Sequence, residues 1–283
     1  MNKTKMFAFF ILCLFAFNSP VIFGQDNSVD QEMHEFRLSS FSEKGKKGWE
    51  VKGSCANIFS DTVFLDDIIA NMYGDTDSLV LVADKGRYDK KDSRIHLEKD
   101  VVATTASGAR LVTDSLDWLQ NQQLVRTDDN VVIDKENMKT TACGLRAKPD
   151  LNKVRLIKDV KVDINEQKPD SDLKNLTTIT CNGPLEIDYK KEVAIFNKNV
   201  VVNNIDGEIY SDRMLVYFDF KNKKLVKIIA RGNVKILKDG NTSYSKKAVY
   251  LPNEKTLVLT GRPKIIIYST ESMGELLDAS SGN

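Results

Sequence analysis

Apolar and polar residues alternate along most of this chain. Trp49, Val51, Gly53 and Cys55 fall on one side of an extended segment, and Val63, Leu65 and Ile68 continue the apolar points. A side chain that recurs every second residue lies on one face of a β-strand. From Asp84 onward the alternation is organised into six strand–turn–strand units. Their anchors are Asp84, Asp114, Cys143, Gly183, Asp212 and Lys246, spaced by 30, 29, 40, 29 and 34 residues. Downstream of each anchor stands a pair that reads as a turn entering the next strand: Asp100-Val101, Asn130-Val131, Asp159-Val160, Asn199-Val200, Asn233-Val234 and Pro263-Lys264. The offset from anchor to pair is 16 in the first four units, then 21 and 17. Repetition on this scale marks a β-array rather than an ordinary mixed domain.

The columns of the repeat name the apolar face. Two residues after the anchor stand Gly86, Leu116, Leu145, Leu185, Met214 and Ala248. Two further on come Tyr88, Trp118, Ala147, Ile187, Val216 and Tyr250. Five before the pair lie Ile95, Val125, Val154, Ala194, Ile228 and Val258. The second member of the pair is Val101, Val131, Val160, Val200 or Val234, and two later come Ala103, Ile133, Val162, Val202, Ile236 and Ile266. The opposite face is only partly polar, with Lys161 and Lys235 but also Val102, Val132 and Val201. Asn-, Asp- and Lys-rich segments such as Asp89–Asp92, Gln120–Gln123 and Tyr189–Glu192 read as hairpin turns. No long capped amphipathic helix stands out, with a short helical turn near Phe64–Met72 the one candidate. The expected class is all-β.

Composition narrows the function. The 283 residues carry 41 basic and 40 acidic side chains, well mixed, so the basic excess of a nucleic-acid binder is missing. There are two histidines, His34 and His96, and no Cys-x-x-Cys or Cys/His spacing. No metal site and no cofactor is expected. Cys55, Cys143 and Cys181 read as small buried strand residues. The Asp column at the anchors is interrupted by Cys143, Gly183 and Lys246, so no facing carboxylate pair recurs, and no catalytic residue is assigned. The chain is not expected to be an enzyme.

Lys3 and Lys5 precede an apolar run, Met6–Phe17, of signal-peptide length. Residues 1–24 read as a cleaved export signal or, alternatively, an uncleaved anchor. Residues 25–35 read as a tether and 36–164 as a first β module. The polar stretch 165–177 reads as a linker (or as a long loop within one array), 178–269 as a second module and 270–283 as a loose tail. Folded with its apolar faces inward, such a sheet makes a V-shaped or jelly-roll trough. Its inside is either a closed core, as in a structural or adhesive cell-envelope β-repeat protein, or an open groove for acyl chains.

The stretches GWEVKGSCANI and LVADKGRYDKKDSRIHLEKDVVATTASGARLVTDSLDWLQNQQLVRTDDNVVI resemble LptC, the membrane-proximal periplasmic component of lipopolysaccharide export. Thr178–Ser269, above all IYSDRMLVYFDFKNKKLVKIIARGNVKI, is similar to the OstA/LptA group of the same pathway. The resemblance implies an open β-jelly-roll of two modules in series. It also implies lipopolysaccharide acyl chains as ligand, an inner-membrane ABC transporter as partner, and stacking onto other bridge proteins through edge strands. The implied compartment is the periplasm, with attachment to the inner membrane through the N-terminal segment left open. The implied groove is lined by Ile95, Val101, Leu116, Val125, Val131, Ile133, Leu145, Val154, Val160, Val162, Leu185, Ile187, Val200, Val202, Val216, Ile228, Val234 and Ile236.

Overall fold

The computed structural model describes residues 29–41, 45, 47–73, 78–148, 152–166, 175–219 and 224–268. The signal or anchor segment, residues 25–28 of the tether, the middle of the 165–177 stretch and the tail lie outside them. The first nine strands are β1 (Gln31–Phe41), β2 (Lys47–Ile58), β3 (Thr62–Tyr73), β4 (Ser78–Asp89), β5 (Arg94–Thr105), β6 (Arg110–Leu119), β7 (Leu124–Lys135), β8 (Met138–Ala147) and β9 (Lys153–Glu166). They are followed by β10 (Asn175–Cys181), β11 (Leu185–Asp188), β12 (Val193–Asn204), β13 (Gly207–Asp219), β14 (Lys224–Lys238), β15 (Asn241–Leu251), β16 (Thr256–Thr260) and β17 (Lys264–Ile266). The architecture is all-β, as the alternation predicts.

All these strands belong to one antiparallel sheet, in which neighbours in sequence are neighbours in space. β10 and β11 lie end to end between β9 and β12, and β16 and β17 lie end to end along β15. Short hairpins suffice for such a meander. Asp239 and Gly240, with φ of 49° and 75°, make the two-residue turn between β14 and β15; two consecutive positive φ angles match the right-handed twist of the flanking strands.

The strands are long because each crosses a crease. Partner registers slip by one residue near the middle of strand after strand: between Glu98 and Val101, Thr113 and Asp117, Thr127 and Asn130, Thr141 and Cys143, Asn197 and Val200, and Arg231 and Val234. Left-handed residues sit on the same line, including Lys99, Asp100, Asp159, Lys198, Asn199, Gly232 and Asn233. A bulge bends its strand and sharpens the local twist. A row of aligned bulges therefore folds the whole sheet along one line and turns the two halves of each strand toward each other.

This crease corrects the repeat as read from sequence. Pairs such as Asp100-Val101 and Asn199-Val200 do not start strands; they are bulges inside β5 and β12. The anchors Asp84, Asp114, Cys143, Gly183, Asp212 and Lys246 lie on the same crease in the alternate strands. Three further expectations change. Phe64–Met72 is strand, within β3. Gln31–Glu35, read as tether, opens β1. The 165–177 stretch is no spacer at its ends: Asn175, Leu176 and Thr177 pair with Glu166, Asn165 and Ile164, so the sheet runs straight through. Residues 167–174, between these paired ends, lie outside the described residues.

Burial follows the crease. One row of ladder partners runs Ala56, Leu65, Gly86, Leu97 and Leu116. It resumes as Thr127, Leu145, Leu156, Leu185, Phe196, Met214, Ala230 and Ala248, and every member is buried. Two apolar clusters result. One spans Phe36 to Val125 and the other Val131 to Ala248. They meet inside β7, some forty residues before the boundary expected at 165–177.

Candidate binding trough

Directly beside the crease lies a second row. Val101, Val131, Val160, Val200 and Val234 are 0–2% exposed. Their ladder partners are small: Thr113 faces both Val101 and Val131, Ala142 faces Val131, Cys181 faces Val160, Ser211 faces Val200 and Ser245 faces Val234. The two walls approach most closely at the crease, so valines alternating with small residues fill the space without strain. This is why valine recurs in every second strand. The Cys181 thiol is buried here, and burial raises its pKa. Thr113 Oγ1 and Ser211 Oγ are buried with no hydrogen-bond partner among the described residues, so small size rather than polarity accounts for their presence.

Away from this floor the inner face opens. Ile95, Ile133, Val154, Ile187, Val202, Ile228 and Ile236 are partly buried and pack against the two clusters. Leu116, Val125, Leu145, Val162, Leu185 and Val216 are buried. All eighteen residues expected to line a groove thus share the inner face, but they divide into eleven that are buried and seven that are half-buried. Sequence columns carry no measure of depth, so this division was not legible in them.

At the N-terminal end the walls part around a cavity of about 170 Å³. Its lining is apolar and aromatic: Trp49, Val51, Ile68, Met72, Tyr88, Ile95, Leu116, Trp118 and Val125 take part. An apolar cavity of about 150 Å³ is large enough to take up benzene, so this one has room for a short hydrocarbon segment. The indole N–H of Trp118 is buried and has no acceptor among the described residues. Gly86 contributes by lacking a side chain, since a Cβ there would lie 2.4 Å from Ile68 Cδ1.

The outer face carries the charge. Asp117 accepts hydrogen bonds from Arg94 Nε at 2.9 Å and Nη2 at 2.8 Å, lies 2.8 Å from His96 Nδ1, and accepts from Arg126 Nε at 3.4 Å. Burial alone would raise its pKa, but the His96 and Arg94 hydrogen bonds outweigh burial and hold it below the usual range. Glu50, 5% exposed, is held at about 2 by hydrogen bonds from Lys47 and then Lys52. These groups brace β1–β2 and β5–β7 from outside. Cys55 also belongs to this outer face. Alternation from Trp49 and Val51 would turn it inward, but β2 crosses the crease and it is Ala56 that is buried, at 3% exposure.

A model of a lipopolysaccharide-assembly, LptC-related family matches residues 6–166, more than half of the chain. The chain belongs to that family. A second family model, described as LptA/(LptD N-terminal domain) LPS transport protein, matches residues 183–277, so LptC-like and LptA-like sequences follow one another in a single chain. The LptC-related match begins within the apolar N-terminal run, whereas the LptA-like match begins just before β11. A crystal structure of LptH from Pseudomonas aeruginosa, described as the LptA homologous periplasmic component of the conserved lipopolysaccharide transport device, is similar at 14% identity and a TM-score of 0.31. The match covers 58% of this chain and 96% of that one. No curated protein matches.

Proposed function

We propose that this protein carries the acyl part of lipopolysaccharide along the trough, as one span of the bridge that delivers the lipid from inner to outer membrane. The supporting observation is the graded inner face. The apolar inner face runs through the sheet as two clusters that meet inside β7, where Thr113 and Thr127 are buried, and its walls mix buried residues such as Val162 and Val216 with half-buried ones such as Ile95, Ile228 and Ile236. Each lipid methylene taken out of water contributes roughly 0.8 kcal/mol, so several acyl chains are held with no chemistry by the protein. The Trp118 N–H offers a donor to an ester carbonyl or hydroxyl at the cavity.

In this reading the N-terminal module receives lipid from an inner-membrane ABC transporter, and the chain works in the periplasm. No helix among the described residues is long and apolar enough to cross a membrane. Anchoring therefore rests on the segment before residue 29, into which the family match extends. Further bridge proteins dock on the edge strands. At the C-terminal edge Leu257, Val258 and Ile265 are exposed, and an exposed edge invites strand addition.

Photo-crosslinking during transport tests the proposal. Photoreactive residues at the wall positions Ile95, Trp118, Ile228 and Ile236 should capture lipopolysaccharide, whereas the floor positions Val131 and Val200 should give little. Capture only from outer-face positions such as Thr104 or Lys161 would refute it and favour a structural role.

A further inference from the structure

The spacing of cysteine and histidine along the chain gives no metal motif, but the ladder creates one. His34 of β1 and Cys55 of β2 are direct cross-strand partners, and Glu32 lies two residues from His34 on the same face. Glu32 Oε1 is 3.4 Å from His34 Nε2 and 3.7 Å from Cys55 Sγ. All three donor atoms lie within 4.8 Å of one another, and this is the one such group of three among the described residues.

The two separations from Glu32 fit a particular ion. Zinc bonds of ~2.0–2.3 Å in tetrahedral arrangement place oxygen, nitrogen and sulfur donors about 3.3–3.6 Å apart. Both separations from the Glu32 oxygen come within about 0.2 Å of that range. A thiolate, an imidazole and a carboxylate together suit zinc, while magnesium and calcium favour oxygen alone. Asp66, opposite Cys55 on β3, is occupied by Lys85 at 2.6 Å and stays out of the set. The remaining ligand position faces solvent, since Glu32 and His34 are exposed.

We propose that Glu32, His34 and Cys55 form a three-ligand site for a zinc-class divalent ion on the outer face of the N-terminal edge, with water as fourth ligand. Binding converts the Cys55 thiol to a thiolate and releases its proton to solvent. The ion clips β1 to β2. Among the described residues β1 is an edge strand, paired with β2 alone, so its attachment gains most from a bond that outlasts ladder fraying. The site is independent of the lipid trough, which lies on the other face.

Cobalt titration of the reduced, metal-free full chain tests this. One equivalent of Co²⁺ should produce a thiolate-to-cobalt charge-transfer band that Zn²⁺ abolishes by displacement. Cys55→Ser should remove the band, His34→Ala and Glu32→Gln should weaken affinity at least tenfold, and Cys143→Ser and Cys13→Ser should leave it unchanged. Zn²⁺ should raise the melting temperature of the parent chain but not of Cys55→Ser. Glu32, His34, Cys55 and Cys143 are exposed or half-exposed, and far-UV circular dichroism of each variant verifies the fold. Absence of the band, or its persistence in Cys55→Ser, overturns the proposal; so does undiminished affinity in folded His34→Ala.

Discussion

Leu156→Ala distinguishes the division of the core seen in the structure from the division expected at residues 165–177. Leu156 is 1% exposed and lies between Leu145 of β8 and Leu185 of β11. It belongs to the Val131–Ala248 cluster, although its sequence lies in the LptC-related match. Truncating a buried leucine costs roughly 2–5 kcal/mol, the spread reflecting how far the site collapses. This position is held on both sides by ladder partners, so about 3 kcal/mol is a fair value. With a urea slope of about 2 kcal/mol per molar, the midpoint of the affected unit should fall by roughly 1.5 M. The chain's two tryptophans, Trp49 and Trp118, both pack on the other cluster and report on it by fluorescence. Hydrogen exchange of β12–β15 reports on the cluster that loses Leu156. We expect early exchange in β12–β15 with the tryptophan midpoint almost unmoved, and the reverse for Leu97→Ala, whose side chain lies in the first cluster. A tryptophan midpoint that falls together with the β12–β15 midpoint in Leu156→Ala would refute a division within β7.

Thr113→Val removes a buried hydroxyl that has no partner among the described residues and keeps the shape of the side chain. It should stabilise the fold by about 1 kcal/mol, read as a rise of roughly 2–4 °C in Tm. Gly207 has φ of 141°, and a Cβ there would lie 2.1 Å from the carbonyl oxygen of Leu237, which is laddered to β13. Gly207→Ala should therefore cost at least about 2 kcal/mol in a denaturant titration. Glu50 ionises at about 2 when folded and near 4.3 when unfolded. Its stabilisation is present above the unfolded value and is lost as pH falls toward 2; Asp117, also lowered, acts in the same direction. Urea midpoints measured against pH should show an acid limb that is shallower in Glu50→Gln.

The strands and their inward residues were legible because a period of two survives any bend, so long as the bend inserts one residue at the same place in each strand. The bend itself was not legible. Asn, Asp and Gly tolerate left-handed backbone equally in a hairpin turn and in a bulge, so Asn199-Val200 carries no local sign of which it is. What distinguishes them is the neighbouring strand. Asn197 and Val200 are matched by Arg213 and Ser211, one residue fewer, and that count exists only once the register is known. The true two-residue turn at Asp239-Gly240 shows the same chemistry with no partner strand across it. Likewise His34 and Cys55 are 21 positions apart and met only through the β1–β2 register.

The crease also explains why the repeat has a constant offset. From one crease crossing to the next the chain completes half a strand, turns and descends half a strand, so 16 residues measure wall height. Equal offsets in four units mean walls of equal height, which keeps the apolar face level from one strand to the next. The fifth unit, with 21, is longer at the hairpin between β13 and β14, away from the crease. There Val216 and Ala230 stay buried, so the longer unit leaves the inner row in place. Insertions at the rim leave a groove continuous, whereas an insertion at the crease would shift Val200 or Val234 off the floor and reverse the facing of every residue beyond it. The conduit proposed above must stay apolar along its whole length; it would tolerate the first kind of change and not the second, and this chain varies its units accordingly.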